Sequence, residues 1–206
     1  HRNKLSNQIN TMVDKVTGRE ATHNAWTTTY QGCFASLLLA LDLSWGRRVV
    51  KPSNPIPLWV LHGSPLVKRE FVAGFQGGDG SKIMWHKRHD KVNAGKFNLS
   101  RTVQHKRRTE DMSEAQFNYC VNSLVLFMEQ LEMLMNQLGV QARGVRKMPE
   151  PDEPDLWMVR LDISDAEENL LKYMDLIGYR YATTKNSESL QLSEYIRYKQ
   201  SKIQER

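Results

Sequence analysis

Between Ser113 and Leu138 apolar residues return every three or four positions: Phe117, Val121, Leu124, Phe127 and Met128, Leu131, Leu134 and Met135, then Leu138, with Gly139 where a C-cap belongs. That spacing predicts a long helix with one apolar stripe. Strand-like runs flank it. Upstream, Lys82–Arg88 and Lys96–His105 are joined by Asn93-Ala94-Gly95 as a turn; downstream, Val140–Lys147 and Leu156–Ile163 enclose the acidic loop Pro149–Asp155. Ser64-Pro65 is a helix start, Ser as N-cap and Pro at the first helical position, and Leu66–Phe75 runs helically until Gly77-Gly78-Asp79-Gly80 stops it. Ser164 and Glu167 form a capping box opening the helix Asp165–Ile177, which Gly178 ends, and a polar helix spans about Leu190–Ile203. From Ser64 the order is therefore helix, hairpin, helix, hairpin, helix, helix, an α+β arrangement. The first 63 residues are less regular. Residues 1–25 are polar and weakly patterned, Thr27–Tyr30 reads as a strand, Gly32–Leu41 as a short helix, and the prolines of Leu43–Pro57 as an extended connector.

Of the 206 residues 40% are hydrophobic, enough for a core, which excludes a wholly disordered chain. The longest apolar block, Phe34–Leu41, is broken by Ser36 and ends at Asp42, far short of the ~18 apolar residues of a membrane span. Cys33 and Cys120 lack CxxC spacing and are too few for a disulfide framework, so both are expected as core thiols in a reducing, intracellular setting, cytoplasmic or nuclear. The chain opens on a polar His1-Arg-Asn-Lys without a signal peptide, and is expected to be a piece of a longer polypeptide.

The net charge of +6 is unevenly placed. Lys82–Arg108 holds nine Lys/Arg and one acid, Asp90, while the other 179 residues sum to −2. Within this stretch period two puts Phe97, Leu99 and Val103 on one side and Asn98, Ser100, Thr102 and Gln104 on the other. In the preceding run Ile83 and Trp85 oppose Lys82, Met84, His86 and Arg88; Arg101 breaks the pattern on the apolar side. His86-x-x-His89 has no nearby Cys and sits at strand spacing, which argues against a zinc pair.

Phe71-Val72-Ala73-Gly74-Phe75-Gln76-Gly77-Gly78-Asp79-Gly80 resembles the LAGLIDADG signature of homing endonucleases, F-L-A-G-F-I-D-G-D-G, with identity at Phe71, Ala73, Gly74, Phe75, Gly78, Asp79 and Gly80. The flanks resemble the intein-encoded branch of that family. Asn54-Pro55-Ile56-Pro57-Leu58-Trp59-Val60 is similar to its Ile-Pro-x-Trp block, and Ile177-Gly178-Tyr179-Arg180-Tyr181 to Lys185, then Glu194-Tyr195-Ile196-Arg197, to its C-terminal segment. The resemblance covers about Phe34–Lys199 and is densest after Ser64.

The resemblance implies an α+β LAGLIDADG fold, an αββαββα half-domain with a saddle-shaped antiparallel sheet. Residues 64–206 would be the second half, and residues 1–63 a remnant or end of the first half plus a linker. Ala73 and Gly74 would let two motif helices pack closely across a pseudo-twofold axis. Asp79, with Gly80 beside it, would hold Mg²⁺, and the metal would serve site-specific hydrolysis of both strands of duplex DNA, one motif Asp per half. Lys185 matches a family lysine that steadies the scissile phosphate or polarises water. The strand face would read the major groove through Lys82, His86, Arg88, Asn98, Ser100, Arg101, Thr102 and Gln104, joined by Arg143 and Arg160 from the second hairpin, while Lys106, Arg107 and Arg108 take phosphates.

Two departures matter. Gln76-Gly77 replaces the commoner Ile-Asp, and residues 1–63 contain no second motif. Either the first half is lost and the chain is not catalytic alone, or it is expected before His1, which the resemblance of Gly32–Trp59 to the end of a first half favours. The alternative is a degenerate domain that binds DNA without cutting, carried within a protein-splicing intein; an RNA maturase or LAGLIDADG-derived transcription regulator is the remoter class. Double-stranded DNA and the host protein or splicing domain are the expected partners, with no membrane, as a pseudo-symmetric monomer or paired halves.

Overall fold

The chain is α+β in a computed structural model that describes residues 4–13, 20–29, 33–42, 56–81, 98–104, 113–150 and 153–205. It divides into two units, His1–Trp45 and Gly46–Arg206. In the first, β1 (Lys4–Val13) pairs antiparallel with β2 (Glu20–Thr29), from Lys4↔Thr29 to Val13↔Glu20, and α1 (Cys33–Ala40) follows. The sequence shows a strand only at Thr27–Tyr30, because the apolar residues of the two arms (Leu5, Ile9, Met12 and Val13; Ala21, Ala25 and Trp26) are sparse and do not alternate with polar ones. Residues that give no period-two signal can still form a full backbone ladder.

The second unit opens with a short helix, α2 (Leu58–Leu61), and α3 (Pro65–Asp79). Ser64 caps α3 by accepting the Val67 N–H at 3.4 Å, and Pro65 occupies its first turn. The helix does not stop at Phe75. It continues through Gly77-Gly78 to Asp79, and Gly80 closes it by donating its N–H to the Gln76 carbonyl at 3.1 Å. After β3 (Asn98–Gln104) comes α4 (Glu114–Gln137), the long helix expected from the apolar stripe, ended by Gly139 at φ +81°. β4 (Ala142–Glu150) and β5 (Glu153–Ile163) are both longer than expected and absorb most of the acidic loop into the hairpin. The sheet order is β3-β5-β4, antiparallel throughout, with β5 central. Lys82–Arg88 and the turn at 93–95 lie outside the described residues.

α5 (Glu167–Leu176) and α6 (Thr183–Gln204) complete the unit. The expected capping box is not formed: Ala166 stands at the N-cap of α5 without a side-chain cap. Asn169 fixes the segment before α5 instead. Its amide donates to the carbonyls of Gln141 and Ser164, each at 2.9 Å, and its Oδ1 accepts the Gln141 N–H at 2.7 Å. This ties the approach of α5 to the start of β4. α6 begins seven residues before the expected Leu190, because the apolar stripe marks only its packed middle, at Leu192 and Ile196.

The core lies between α4 and the sheet. Val121, Leu124, Phe127, Met128, Leu131, Leu134 and Met135 are buried, as are Val159, Leu161 and Ile163 of β5. Val72 and Ala73 of α3, Leu170 and Tyr173 of α5, and Leu192 and Ile196 of α6 close it. Each Val, Leu, Ile, Phe or Met among them removed from water contributes about 1.5–3 kcal/mol before the entropy of ordering is counted. Phe75 meets Phe127 with ring centroids 5.0 Å apart, which seats α3 on α4. Among the described residues no helix is long and apolar enough to cross a membrane.

Candidate nucleic-acid interface

The end of α3 is gripped from outside. Lys185, in the first turn of α6, donates its ammonium to the carbonyls of Gly77 and Gly80 at 2.7 Å, Gly78 at 3.3 Å and Gln76 at 3.4 Å. The Gly77 and Gly78 carbonyls are orphan acceptors at the negative dipole end of the helix, so a cation there is both a hydrogen-bond cap and an electrostatic one. The Tyr179 hydroxyl donates to the Ser81 carbonyl at 3.0 Å, fixing the chain just past the motif. Burial raises the Tyr179 phenol well above its usual value; the Gln76 side chain opposes the shift and the Glu188 charge adds to it. Tyr173, packed edge-on against Tyr179 at 5.8 Å between centroids, is raised by burial and then by Tyr179.

The segment after Gly178 accounts for the glycine at position 77, where the signature it resembles has Asp. A Cβ at Gly77 would lie 2.6 Å from the Arg180 carbonyl oxygen, so a side chain there would collide with backbone. The segment around Arg180 leaves no room for an Asp at that position. Ala73 is buried in the unit's own core, and Gly74 is half-buried with the Tyr181 ring 4.0 Å from where its Cβ would stand. Tyr181 itself adopts φ +67°, unusual for a bulky residue, and its hydroxyl donates to Glu70 at 3.0 Å. Hydrogen bonds from Arg69 and Tyr181 hold the Glu70 carboxyl below its usual value.

Asp79 is the last residue of α3; its side chain lies outside the described residues. Among the described residues no three His, Cys, Asp or Glu side chains converge. The donors expected at this helix end fit Mg²⁺ in kind, being oxygens, and in number fit one half of a site. The Gly80 carbonyl, read from sequence as a ligand, already accepts the Lys185 ammonium and so has one lone pair left for a metal.

The sheet presents the second cluster. Backbone pairing places Ser100, Arg160 and Arg146 in one row, Asn98 opposite Asp162, Thr102 opposite Met158 and Gln104 opposite Leu156. Leu99 shares a row with the buried Leu161 and with Val145. The pairing thus separates the two sets of β3 positions as period two does. Arg101 stands in the row of buried Val159, on the opposite face from Arg160, apart from the other four β3 positions read as DNA contacts. Side chains of β3 lie outside the described residues, as do Lys82, His86, Arg88, Lys106, Arg107 and Arg108 altogether.

Three arginines of the second hairpin are described. Arg143 pairs with Asp165 within the irregular stretch of β4 between Ala142 and Val145, where Gly144 adopts φ +86°. Arg160 holds Asp162 through Nε at 2.6 Å, and Arg146 pairs with the other carboxylate oxygen. Burial, followed by the Arg146 charge, lowers the Arg160 pKa, while a guanidinium stays charged at any ordinary pH. Arg146 was not singled out by sequence. The signal for it is its neighbour: Val145 faces the core row of Leu161, so Arg146 belongs to the outer face.

No family model matches the chain, and no solved structure matches it. It is similar to a segment of the replication factor C small subunit of Methanocaldococcus jannaschii, 26% identical over 200 residues, covering 96% of this chain and 10% of that protein. It is similar also to segments of the tRNA-splicing ligase RtcB of Methanopyrus kandleri, 26% identical over 167 residues with 81% and 15% covered, and of Pyrococcus furiosus, 25% identical over 173 residues with 84% and 16% covered. The chain spans about 10 to 16% of the length of these curated relatives.

Proposed function

We propose that the chain is the larger part of a LAGLIDADG homing endonuclease domain carried by an intein, acting on double-stranded DNA. The observation that carries this reading is the seat of the Phe71–Gly80 motif: one helix that ends on Asp79 and is clamped there by Lys185. A clamped helix end is what a carboxylate needs to be held still for a metal and a phosphate. The comparisons support the reading in a second way. One segment recurs, at similar identity, inside proteins named for a replication factor and for an RNA ligase, and occupies a sixth of their length or less. A segment common to proteins with such different names is best understood as a module inserted into each.

In this reading Asp79 supplies the carboxylate of one half-site, and Lys185 holds its backbone rather than touching the reacting atoms. The outer sheet face binds the duplex through cations and short polar groups. Mg²⁺, when bound, supplies activated water and stabilises the leaving 3′ oxygen. The test is duplex-DNA binding by the chain and Mg²⁺-dependent cleavage by its full-length host polypeptide, each with wild type and Asp79→Asn. Cleavage that disappears with Asp79→Asn while binding persists supports the proposal; unchanged cleavage overturns the role of Asp79, and absence of any duplex binding overturns the DNA reading. The Gly80 carbonyl, which already accepts the Lys185 ammonium, favours a second reading, a domain that binds DNA without cutting. Binding without cleavage by the wild-type host polypeptide would select it.

A further inference from the structure

Asp162 is an acid on the sheet face that carries Arg160 and Arg146, and its side chain is only 5% exposed. Its two oxygens hold two arginines: Arg160, 18% exposed, and Arg146, 52% exposed. We infer that Arg146 is a specificity-determining residue that reads guanine from the major groove, and that Asp162 is the residue that positions it. The inference rests on the DNA reading above and adds residues that the sequence did not offer.

Four observations lead there. Arg146 stands in the same cross-strand row as Arg160 and Ser100, on the face away from Leu161 and the core. The ion pair with Asp162 engages Nη2 of a group that carries five N–H donors, so the guanidinium can be anchored and still present donors to O6 and N7 of guanine. Half of Arg146 remains open to solvent, whereas Arg160 is mostly covered and so serves as the partner that balances the buried carboxylate. Finally, a long side chain loses much rotamer entropy on binding, and anchoring it beforehand lowers that cost at the moment of contact. The group of two guanidinia and one carboxylate keeps a net charge of +1, matching the polyanion it would face.

A phosphate contact would use the same donors, and the experiment separates the two. The whole chain is used to select bound sequences from a random duplex pool, as wild type, Arg146→Gln and Asp162→Asn. The wild type is expected to enrich guanine at one or more positions. Arg146→Gln should weaken that preference about tenfold or more at one position. Asp162→Asn should weaken the same preference while raising affinity for unselected duplex, since one negative charge leaves the binding face. Retention of the guanine preference in Arg146→Gln overturns the assignment. Uniform weakening across all sequences overturns it too, by showing a phosphate contact. No binding by the wild type removes the DNA reading itself. Arg146 is half-exposed, so Arg146→Gln tests the proposal even if Asp162→Asn folds poorly.

Discussion

The end of α3 and the outer face of the sheet each hold cations that a sequence motif would assign to DNA chemistry, and the structure treats them differently. Lys185 is surrounded by four backbone carbonyls and meets a helix dipole; Arg146 and Arg160 share one buried carboxylate. At α3 four backbone carbonyls receive the ammonium, so it holds a chain segment in place. On the sheet the partner is a side chain that absorbs one charge and leaves a surplus. What a cation faces, rather than the motif it belongs to, decides how much of it is available to a ligand.

The largest effect expected is at Asp162. Replacing it with Ala leaves Arg160 largely buried without its carboxylate, which should destabilise the fold by about 3 kcal/mol, the low end for a buried pair because Arg146 is half in water. For a chain of this size that is a Tm lower by roughly 6–12 °C. Adding Arg160→Met to Asp162→Ala should recover most of the loss, since an apolar pair replaces a broken ionic one. A Tm unchanged in the single variant would show that the sheet cations are not organised by Asp162, and the contrast with α3 would vanish.

Lys185→Met comes next, at roughly 2 kcal/mol, because charge-assisted bonds to carbonyls are lost at a site still partly reached by water. Lys185→Arg should restore part of it. Equal thermal stability of wild type and Lys185→Met would mean that the helix end needs no cap, and would free Lys185 for a role at phosphate.

Alkaline pH probes the same region without substitution. The folded-state pKa values of Tyr173 and Tyr179 are raised above the ordinary tyrosine value of 10.0. Their contribution is therefore fully present below pH 10 and lost as pH rises beyond it, because the unfolded chain ionises first. Thermal melts from pH 8 upward should stay level until about pH 10 and then fall, with the phenolate absorbance of these two residues appearing together with unfolding. Their early, independent titration would show that the segment after Gly178 is not packed as the contact between Tyr179 and the Ser81 carbonyl requires.

Much of this was legible in the residues. The α4 stripe, the Ser64-Pro65 start and the glycine stops at 139 and 178 follow from local rules, and α3, α4 and α5 stand close to where those rules put them. The helical state of Gly77-Gly78 was not legible, since two glycines read as a stop until Lys185 is known to hold both carbonyls and the Arg180 carbonyl to lie against Gly77. Nor was the Asn169 clamp, whose partners lie 28 and 5 residues away. At the site, the β3 positions followed from period two, whereas Arg146 and Asp162 did not. Their roles depend on which strand neighbours which, and the central place of β5 is not a local property.

Arg143 gives the smallest effect and the sharpest control on the contrast. It lies on the same hairpin as Arg146 and Arg160 and is likewise paired with an aspartate, but Arg143 is 47% and Asp165 53% exposed. An exposed pair gains little from a partner already solvated, pays side-chain entropy to keep its geometry, and is screened by salt. Arg143→Ala should therefore cost about 0.5 kcal/mol or less, a Tm change near 1–2 °C, and the difference should vanish in high salt. The Asp162 loss should persist in the same salt, because a buried carboxylate is not reached by the ionic atmosphere. If Arg143→Ala and Asp162→Ala showed the same salt sensitivity, burial would not be what distinguishes the two pairs, and the arginines of this hairpin would form one exposed, interchangeable set.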